Sequence, residues 1–340
     1  MGLLGSTSKP LLTEKNLPDQ TGKVFIVTGS SSGLGKDLAE ILYTHHAKIY
    51  VAARSEDKAR RAIEEITSKY PDSKGALVYL HLDLDDLTTI KASAEAFLAQ
   101  EKSLHVLWNN AGVMRPPQGS KTKQGYELQI GTNNLAPFLF TKLLTPLLQS
   151  TAKISPPGSV RVVWVSSSAA KNFSPKGGLD VANLDYHVDK GAWHKYGVSK
   201  AGNIYHSKEY ARRYGKDGII SVVKNTLLDF CSDFQSTTDS AKALDPGFLK
   251  TDLYKNLPWW QGSVVNMMLH EPIYGAYTEL YAGLSTDITT GNNGSFVEPW
   301  GRLCLSRNDI EAGAMTKDEG GTGIGHEFWE WTEKEVAKYS

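Results

Sequence analysis

The sequence predicts an α/β chain built on one doubly wound parallel sheet of seven strands, with helices covering both faces. Short apolar runs alternate with longer helix-period stretches along the chain. The runs are apolar and non-alternating, which is the pattern of strands buried on both faces. A glycine-rich turn joins the first run to the first helical stretch, as where a βαβ unit opens.

Residues 24–27 read as the first strand and 34–44 as the helix after the turn. Residues 48–52 form the second strand, followed by a charged amphipathic helix over 56–70. The third strand is 77–81, with a helix near 86–100. The fourth is 106–108, with a long helix near 125–149. The fifth is 160–165, and the helix period resumes over 196–214. The sixth is 219–223; a helix near 274–283 then leads to a seventh at 295–297. Right-handed crossovers between such strands wind the sheet outward in both directions. No tandem repeat is present. Residues 1–20 read as an N-terminal extension, 21–300 as the α/β domain and 301–340 as a C-terminal tail. Within the tail, Gly320, Gly321, Gly323 and Gly325 suggest a surface linker. A short helix carrying Trp329 and Trp331 is then expected to dock on the body.

Composition narrows the function classes. The 340 residues carry 37 Lys+Arg against 37 Asp+Glu, so no basic excess exists to release phosphate counterions from nucleic acid. Cys231 and Cys304 form one disulfide at most and cannot build a structural zinc site without histidines. No His/Asp/Glu cluster has metal-ligand spacing. No apolar run reaches about 18 residues, so no transmembrane helix is expected. The N-terminus lacks the basic and apolar regions of a signal peptide, and a cytoplasmic, soluble protein is expected. Gly2 and Ser6 match the short N-myristoylation pattern, which small flexible termini also match by chance. The oligomeric state is left open, a homodimer included.

The turn itself is Thr28-Gly29-Ser30-Ser31-Ser32-Gly33-Leu34-Gly35. Glycines there permit a tight turn and let backbone N–H groups approach a pyrophosphate, at which the following helix points its positive end. The spacing differs from Gly-x-Gly-x-x-Gly and resembles the Thr-Gly-x-x-x-Gly-x-Gly of the short-chain dehydrogenase/reductase family. Four further motifs follow in family order. Asn109-Asn110-Ala111-Gly112 ends the fourth strand, and Ser166 and Ser167 close the fifth. Tyr196-Gly197-Val198-Ser199-Lys200 opens the next helix, and Pro246-Gly247-Phe248-Leu249-Lys250-Thr251 lies beyond the sixth strand. The resemblance covers residues 22–251, with looser similarity to 299. It is to the retinol-dehydrogenase-like members, particularly the fungal ones, and implies a Rossmann fold.

The resemblance implies roles by position. Gly29, Ser31, Ser32, Gly33, Leu34 and Gly35 would cradle the pyrophosphate. Asp83 and Leu84 match the adenine-edge pair, although Asp83 could equally cap a helix. Asn110, Ala111 and Gly112 match the segment lining the adenosine ribose. Pro246 and Gly247 form the turn that presents Leu249 and Thr251 to the nicotinamide carboxamide. At the end of the second strand stands Ala52-Ala53-Arg54, where an acidic residue would select NAD. Arg54 offers a planar fork for a 2′-phosphate instead, so NADP(H) is the expected cofactor.

Tyr196 and Lys200, at i and i+4, share one helix face. A nearby ammonium and an oxidised nicotinamide favour phenolate, which lets Tyr196 act as general acid or base. Ser167 would hold the substrate oxygen, with Ser166 as the alternative because the serine run leaves the register open by one. Asn133 resembles the helix asparagine whose backbone holds a water in the Lys-linked proton relay, and Ala136 stands where many relatives have Gly. His194 could line the pocket, but reads more simply as a surface-loop histidine. Residues 171–193 and 253–272 should wall the substrate. Trp259, Trp260, Met267 and Met268 in the latter suit either a bulky apolar alcohol or carbonyl compound or a plain core role. The fungal likeness points toward secondary metabolism.

The sequence argues against two other functions. A non-catalytic dinucleotide sensor on this fold would be expected to lose the Tyr or the Lys, and both are present. A sugar-nucleotide epimerase would carry a different glycine spacing and a larger C-terminal domain. One segment departs from the family. Residues 224–242 are polar, Ser/Thr-rich and aperiodic, and joining Val223 to Ala243 restores the family spacing into Pro246-Gly247. This reads as an insertion forming a surface excursion, a substrate lid or the translation of an unspliced intron.

Overall fold

A computed structural model describes residues 9–225 and 272–340. Strands β1 (Val24–Thr28), β2 (Lys48–Ala53), β3 (Ala76–His81), β4 (Val106–Asn109), β5 (Val160–Ser166), β6 (Ile219–Asn225), β7 (Phe296–Glu298) and β8 (Arg302–Cys304) form one sheet. Their order is β3-β2-β1-β4-β5-β6-β7-β8. All neighbours are parallel except β7 and β8. The sheet therefore has eight strands rather than the expected seven. The extra strand is a three-residue antiparallel edge, too short to leave a period in the sequence.

The chain leaves β1 in one direction and returns to β4 on its other side. That reversal opens a crevice at the carboxyl ends of β1 and β4, where ligands of open α/β sheets bind. Helices α1 (Gly33–Thr44), α2 (Glu56–Lys69) and α3 (Leu87–Leu98) alternate with the first strands. Helix α4 (Ala136–Ile154) precedes β5, and α5 (Ala192–Tyr214) precedes β6. Helix α6 (Pro272–Leu284) precedes β7, and α7 (Asn308–Ala314) and α8 (Ile324–Val336) close the chain. Side chains from α3, α4, α5 and α8 pack on one face of the sheet. Those of α1 and α6 pack on the other. Trp108 and Trp164, fully enclosed, lie in the middle strands.

Three expectations are corrected. The helix expected over 125–149 begins later: Leu128–Ile130 gives one turn, Gly131–Leu135 is a π-helical turn, and α4 follows. A bridge between Lys121 and Glu127 holds the preceding residues out of the helix, and the Glu127 carboxylate then caps it by accepting from the backbone N–H of Gln129 and Ile130 at 2.9 Å. Lys224, expected to open a surface excursion over 224–242, lies in a strand instead. β6 runs through Asn225, and Lys224 is fully buried against Glu279 of α6, Nζ to Oε1 3.1 Å. Residues 226–242 lie outside the described part of the chain, as do Gly2, Ser6 and Cys231. The tail glycines are not a free linker. A Cβ on Gly321 would fall 2.4 Å from the Met315 carbonyl oxygen, so the turn between α7 and α8 is close-packed. Helix α8 does dock, burying Phe328 and Trp329 against α5 and α4.

Candidate active site

The glycine turn lies in the crevice. Gly29 has φ +72, and a Cβ there would meet Ala111 at 3.0 Å; a Cβ on Gly35 would meet Asn110 Nδ2 at 2.6 Å. Only glycine lets the two loops approach this closely. Thr28 locks them. Its hydroxyl donates to the Trp108 carbonyl at 3.2 Å and accepts from the Ala111 N–H at 2.9 Å, while Asn110 Nδ2 donates to the Thr28 carbonyl at 2.7 Å. Ser30 is buried and donates to the Val27 carbonyl at 2.7 Å. Helix α1 opens on Ser32, whose side chain makes no capping bond, and its first turn holds no acidic residue. The loop thus presents unsatisfied N–H groups and a positive helix end beside a cradle that a Cβ would fill, which fits the pyrophosphate of a dinucleotide. Ser31 is half-buried, Gly33 exposed and Leu34 buried.

Asp83 does not cap a helix. Its Oδ1 accepts from the Asp85 N–H at 3.1 Å, and the N-cap of α3 is Asp86, accepting from Thr88 at 3.0 Å. Asp83 stays half-buried just after β3, beside buried Leu84. Arg54 is exposed immediately after β2, and among the described residues no carboxylate forms an ion pair with it. Pro246, Gly247, Leu249 and Thr251 lie outside the described residues. So do Trp259, Trp260, Met267 and Met268.

The candidate catalytic residues converge from the end of β5, α5 and the π turn. Ser166 and Ser167 point differently. The buried Ser166 hydroxyl donates to the Lys200 carbonyl at 2.8 Å and anchors α5 to the sheet. Ser167 lies within hydrogen-bonding reach of the Tyr196 phenol. Lys200 Nζ is 5.6 Å from the Tyr196 ring centre and donates to the Val165 carbonyl at 2.9 Å, which also accepts from Asn203 Nδ2 at 2.8 Å. Asn133 is buried in the π turn. Its Oδ1 accepts from the Val113 N–H at 2.8 Å, and its Nδ2 donates to the Val113 carbonyl and to Ser199 Oγ, each at 3.0 Å. π-helical turns recur at functional sites because they re-aim a side chain within a helix.

Electrostatics differ from the sequence expectation in one respect. Burial pushes the Tyr196 phenol up to about 12, with the Ser167 hydrogen bond pulling the other way. Burial, then the charge of Lys224, lowers Lys200 to about 7, while Glu279 opposes that shift. The expected phenolate is therefore not the favoured form of the protein alone. Desolvation outweighs a lysine that is itself only partly charged near neutral pH.

Sequence reasoning missed several members. Asn134 donates through Nδ2 to the Ser199 carbonyl at 2.9 Å and to Asn203 Oδ1 at 2.8 Å, tying α5 to the π turn. Asn203, at i+3 from Lys200, was findable from the helix face alone. Arg115 was not. It stands three residues after Gly112 with φ +47, and its guanidinium lies 4.6 Å from the Trp193 ring centre. His194 lies in the first turn of α5 rather than in a loop, half-buried, its pKa lowered by burial.

A family profile described as "short chain dehydrogenase" matches residues 23–179. A "Short-chain dehydrogenase/reductase" of Phomopsis amygdali is 51% identical over 335 residues, covering 97% of this chain and 94% of its own. The "Short-chain dehydrogenase/reductase pkfC" of Emericella nidulans is 45% identical, covering 97% of both chains. Among solved structures, an uncharacterised protein from Mycobacterium paratuberculosis superposes with a TM-score of 0.66 at 24% identity, covering 96% of this chain and 97% of its own. An NAD(P)-dependent gluconate 5-dehydrogenase from Beutenbergia cavernae with bound NADP superposes at 0.60 and 16% identity, covering 82% and 96%. A 3-ketoacyl-(acyl-carrier-protein) reductase from Brucella melitensis complexed with NADH gives 0.58 at 19%, covering the same shares. These structures share the fold.

Proposed function

The chain belongs to the short-chain dehydrogenase/reductase family, and from that premise we propose that it is an NADP(H)-dependent carbonyl reductase for a bulky, largely apolar small molecule. The carrying observation is the enclosed Ser167–Tyr196–Lys200 group beside the glycine cradle. A phenol pushed up to about 12 retains its proton at neutral pH, which suits a donor to a carbonyl oxygen. Ser167 would donate a hydrogen bond to the same oxygen and hold it as negative charge develops. Lys200 is anchored on the Val165 carbonyl and faces the phenol, so it can stabilise the phenolate left after transfer. Asn133 in the π turn would connect this pair to the proton relay on the side of Ser199. A nicotinamide dinucleotide held by Gly29, Gly35 and the start of α1 would supply the hydride. Arg54, exposed after β2 where an acidic residue would favour NAD(H), supports NADP(H). Trp193 and Phe173 stack at 4.6 Å between ring centres, 23° apart, and give the substrate side an aromatic wall. The fungal relatives favour a place in secondary metabolism.

Screening NADPH oxidation against a panel of aromatic and alicyclic carbonyl compounds tests the reading. The Tyr196→Phe variant keeps the shape and removes the hydroxyl. It should bind NADPH nearly as before and lose about 10²–10⁴ in turnover, the usual range for general acid–base help. Near-normal turnover in the folded variant would remove Tyr196 from proton transfer.

A further inference from the structure

We propose that Arg115 and Trp193 form a substrate-recognition platform for an aromatic carbonyl compound that carries an anionic group, carboxylate or ionised phenol, away from its reacting carbon. The proposal rests on the reductase reading and adds a charge requirement to it. Arg115 is placed by the same segment that lines the catalytic group. A Cβ on Gly112 would lie 3.6 Å from Lys200 Nζ, and Val113 is clamped through both its N–H and its carbonyl by Asn133. Two residues on, the Arg115 N–H donates to Gln129 Oε1 at 3.0 Å.

From there the guanidinium turns onto Trp193, 4.6 Å from the ring centre. Trp193 is one helical turn before Tyr196, its ring 6.4 Å from the phenol ring. Phe173 extends the stack outward and is 41% exposed, so the platform opens to solvent rather than into the core. Arg115 is thus two ring contacts from the proton donor.

Three features of Arg115 have no account in the packing. It forms no ion pair with any described residue, whereas cations nearby have partners: Lys195 Nζ is 2.6 Å from Asp189. Its Nε is buried with no hydrogen-bond partner, which is costly for a charged donor. Its backbone holds φ +47, a conformation that side chains longer than Asn or Asp rarely adopt. Backbone strain of this kind clusters at ligand clamps. A guanidinium stacked on indole keeps its edge donors free, so an acceptor in the ring plane can take a forked pair of bonds while the substrate's aromatic body lies along Trp193 and Phe173.

The test is equilibrium binding to the NADP⁺-saturated protein, with 2-naphthoate and the uncharged 2-naphthamide as probes. Wild type should bind 2-naphthoate about tenfold more tightly, the scale of one charge-assisted bond, and added salt should erode the preference. Arg115→Asn, which tolerates the backbone angle, should abolish the preference with 2-naphthamide affinity within about twofold; Arg115→Lys should keep part of it. No preference in wild type, including no binding of either probe, overturns the proposal. So does a preference that survives in Arg115→Asn. A fall in NADPH affinity for Arg115→Asn would assign the cation to the cofactor and also overturns it. NADPH titration of wild type separates the two readings: normal cofactor binding without naphthoate preference sinks only this proposal.

Discussion

Tyr196 and Lys200 sit one turn apart on α5, yet burial drives their titrations in opposite directions, to about 12 and about 7. The same enclosure separates the two serines at the end of β5. Ser167→Ala should lower turnover strongly, because its hydroxyl is within reach of Tyr196, and should also cost some stability, because its Oγ accepts from the Ala169 N–H at 3.2 Å. Ser166→Ala should change turnover much less and cost about 1 kcal/mol of stability, the worth of the buried hydrogen bond to the Lys200 carbonyl. Parallel kinetics and melting curves decide it, and equal kinetic losses would contradict the assignment. On the proposed reading, Arg54 clamps the cofactor's 2′-phosphate. Arg54→Asp should weaken NADPH by about 2 kcal/mol, from lost charge-assisted bonding and added repulsion. NADH should be much less affected. Titrating both cofactors checks this, and unchanged selectivity would move the search for the phosphate site to Lys58 on α2.

At the scale of elements, the junction of β6 and α6 carries an enclosed ion pair. Lys224 and Glu279 are both fully buried, and Glu279 Oε2 has no hydrogen-bond partner. The Glu279 carbonyl meanwhile accepts from Trp108 Nε1 at 2.9 Å, so the pair lies where α6 crosses the middle of the sheet. Removing one charge leaves the other stranded in a dry environment. Lys224→Met should cost about 3–5 kcal/mol in chemical denaturation, whereas Lys224→Met with Glu279→Met should recover most of it. A double variant no better than the single one would show that the pair is not coupled. The charge of Lys224 also acts on Lys200, so the single variant should raise the Lys200 pKa and the double variant less so.

At the scale of the whole molecule, two enclosed histidines among the described residues lie outside the candidate active site. His105 accepts the Val24 N–H through Nδ1 at 3.1 Å, and burial lowers it to about 4. His206 lies between α5 and α8, stacked on Phe328 at 4.7 Å and bonded through Nε2 to Thr332 Oγ1 at 3.2 Å, and burial lowers it to about 3. Both are neutral in the folded chain. Below about pH 6.5 the unfolded chain binds protons that the folded one refuses, so the stability present above that pH is lost as pH falls toward 4. Each histidine should contribute about 1.4 kcal/mol per pH unit over that window. His206→Phe should flatten the acid limb by that amount, measured as denaturation midpoints from pH 7 to 4. An unchanged slope would mean that His206 is not the buried neutral group described.

The doubly wound sheet was legible because parallel strands buried on both faces are mostly apolar without alternation, as VFIVT of β1 is throughout and VRVVWVS of β5 is apart from Arg161 and the closing serine. The cradle glycines, Tyr196, Lys200 and the serine pair were legible because chemistry there demands particular residue types at fixed spacing along one strand end or one helix face. The sequence could not say which serine faces the phenol, since a one-residue shift at a strand end turns a side chain to the other side. It could not show that the tail glycines pack, that Lys224 has a carboxylate waiting 55 positions along the chain, or that Arg115 lies on Trp193. Nor could it weigh burial against charge at Tyr196. Those facts depend on which distant surfaces meet, and only the closed tertiary structure fixes how much water is left around each group.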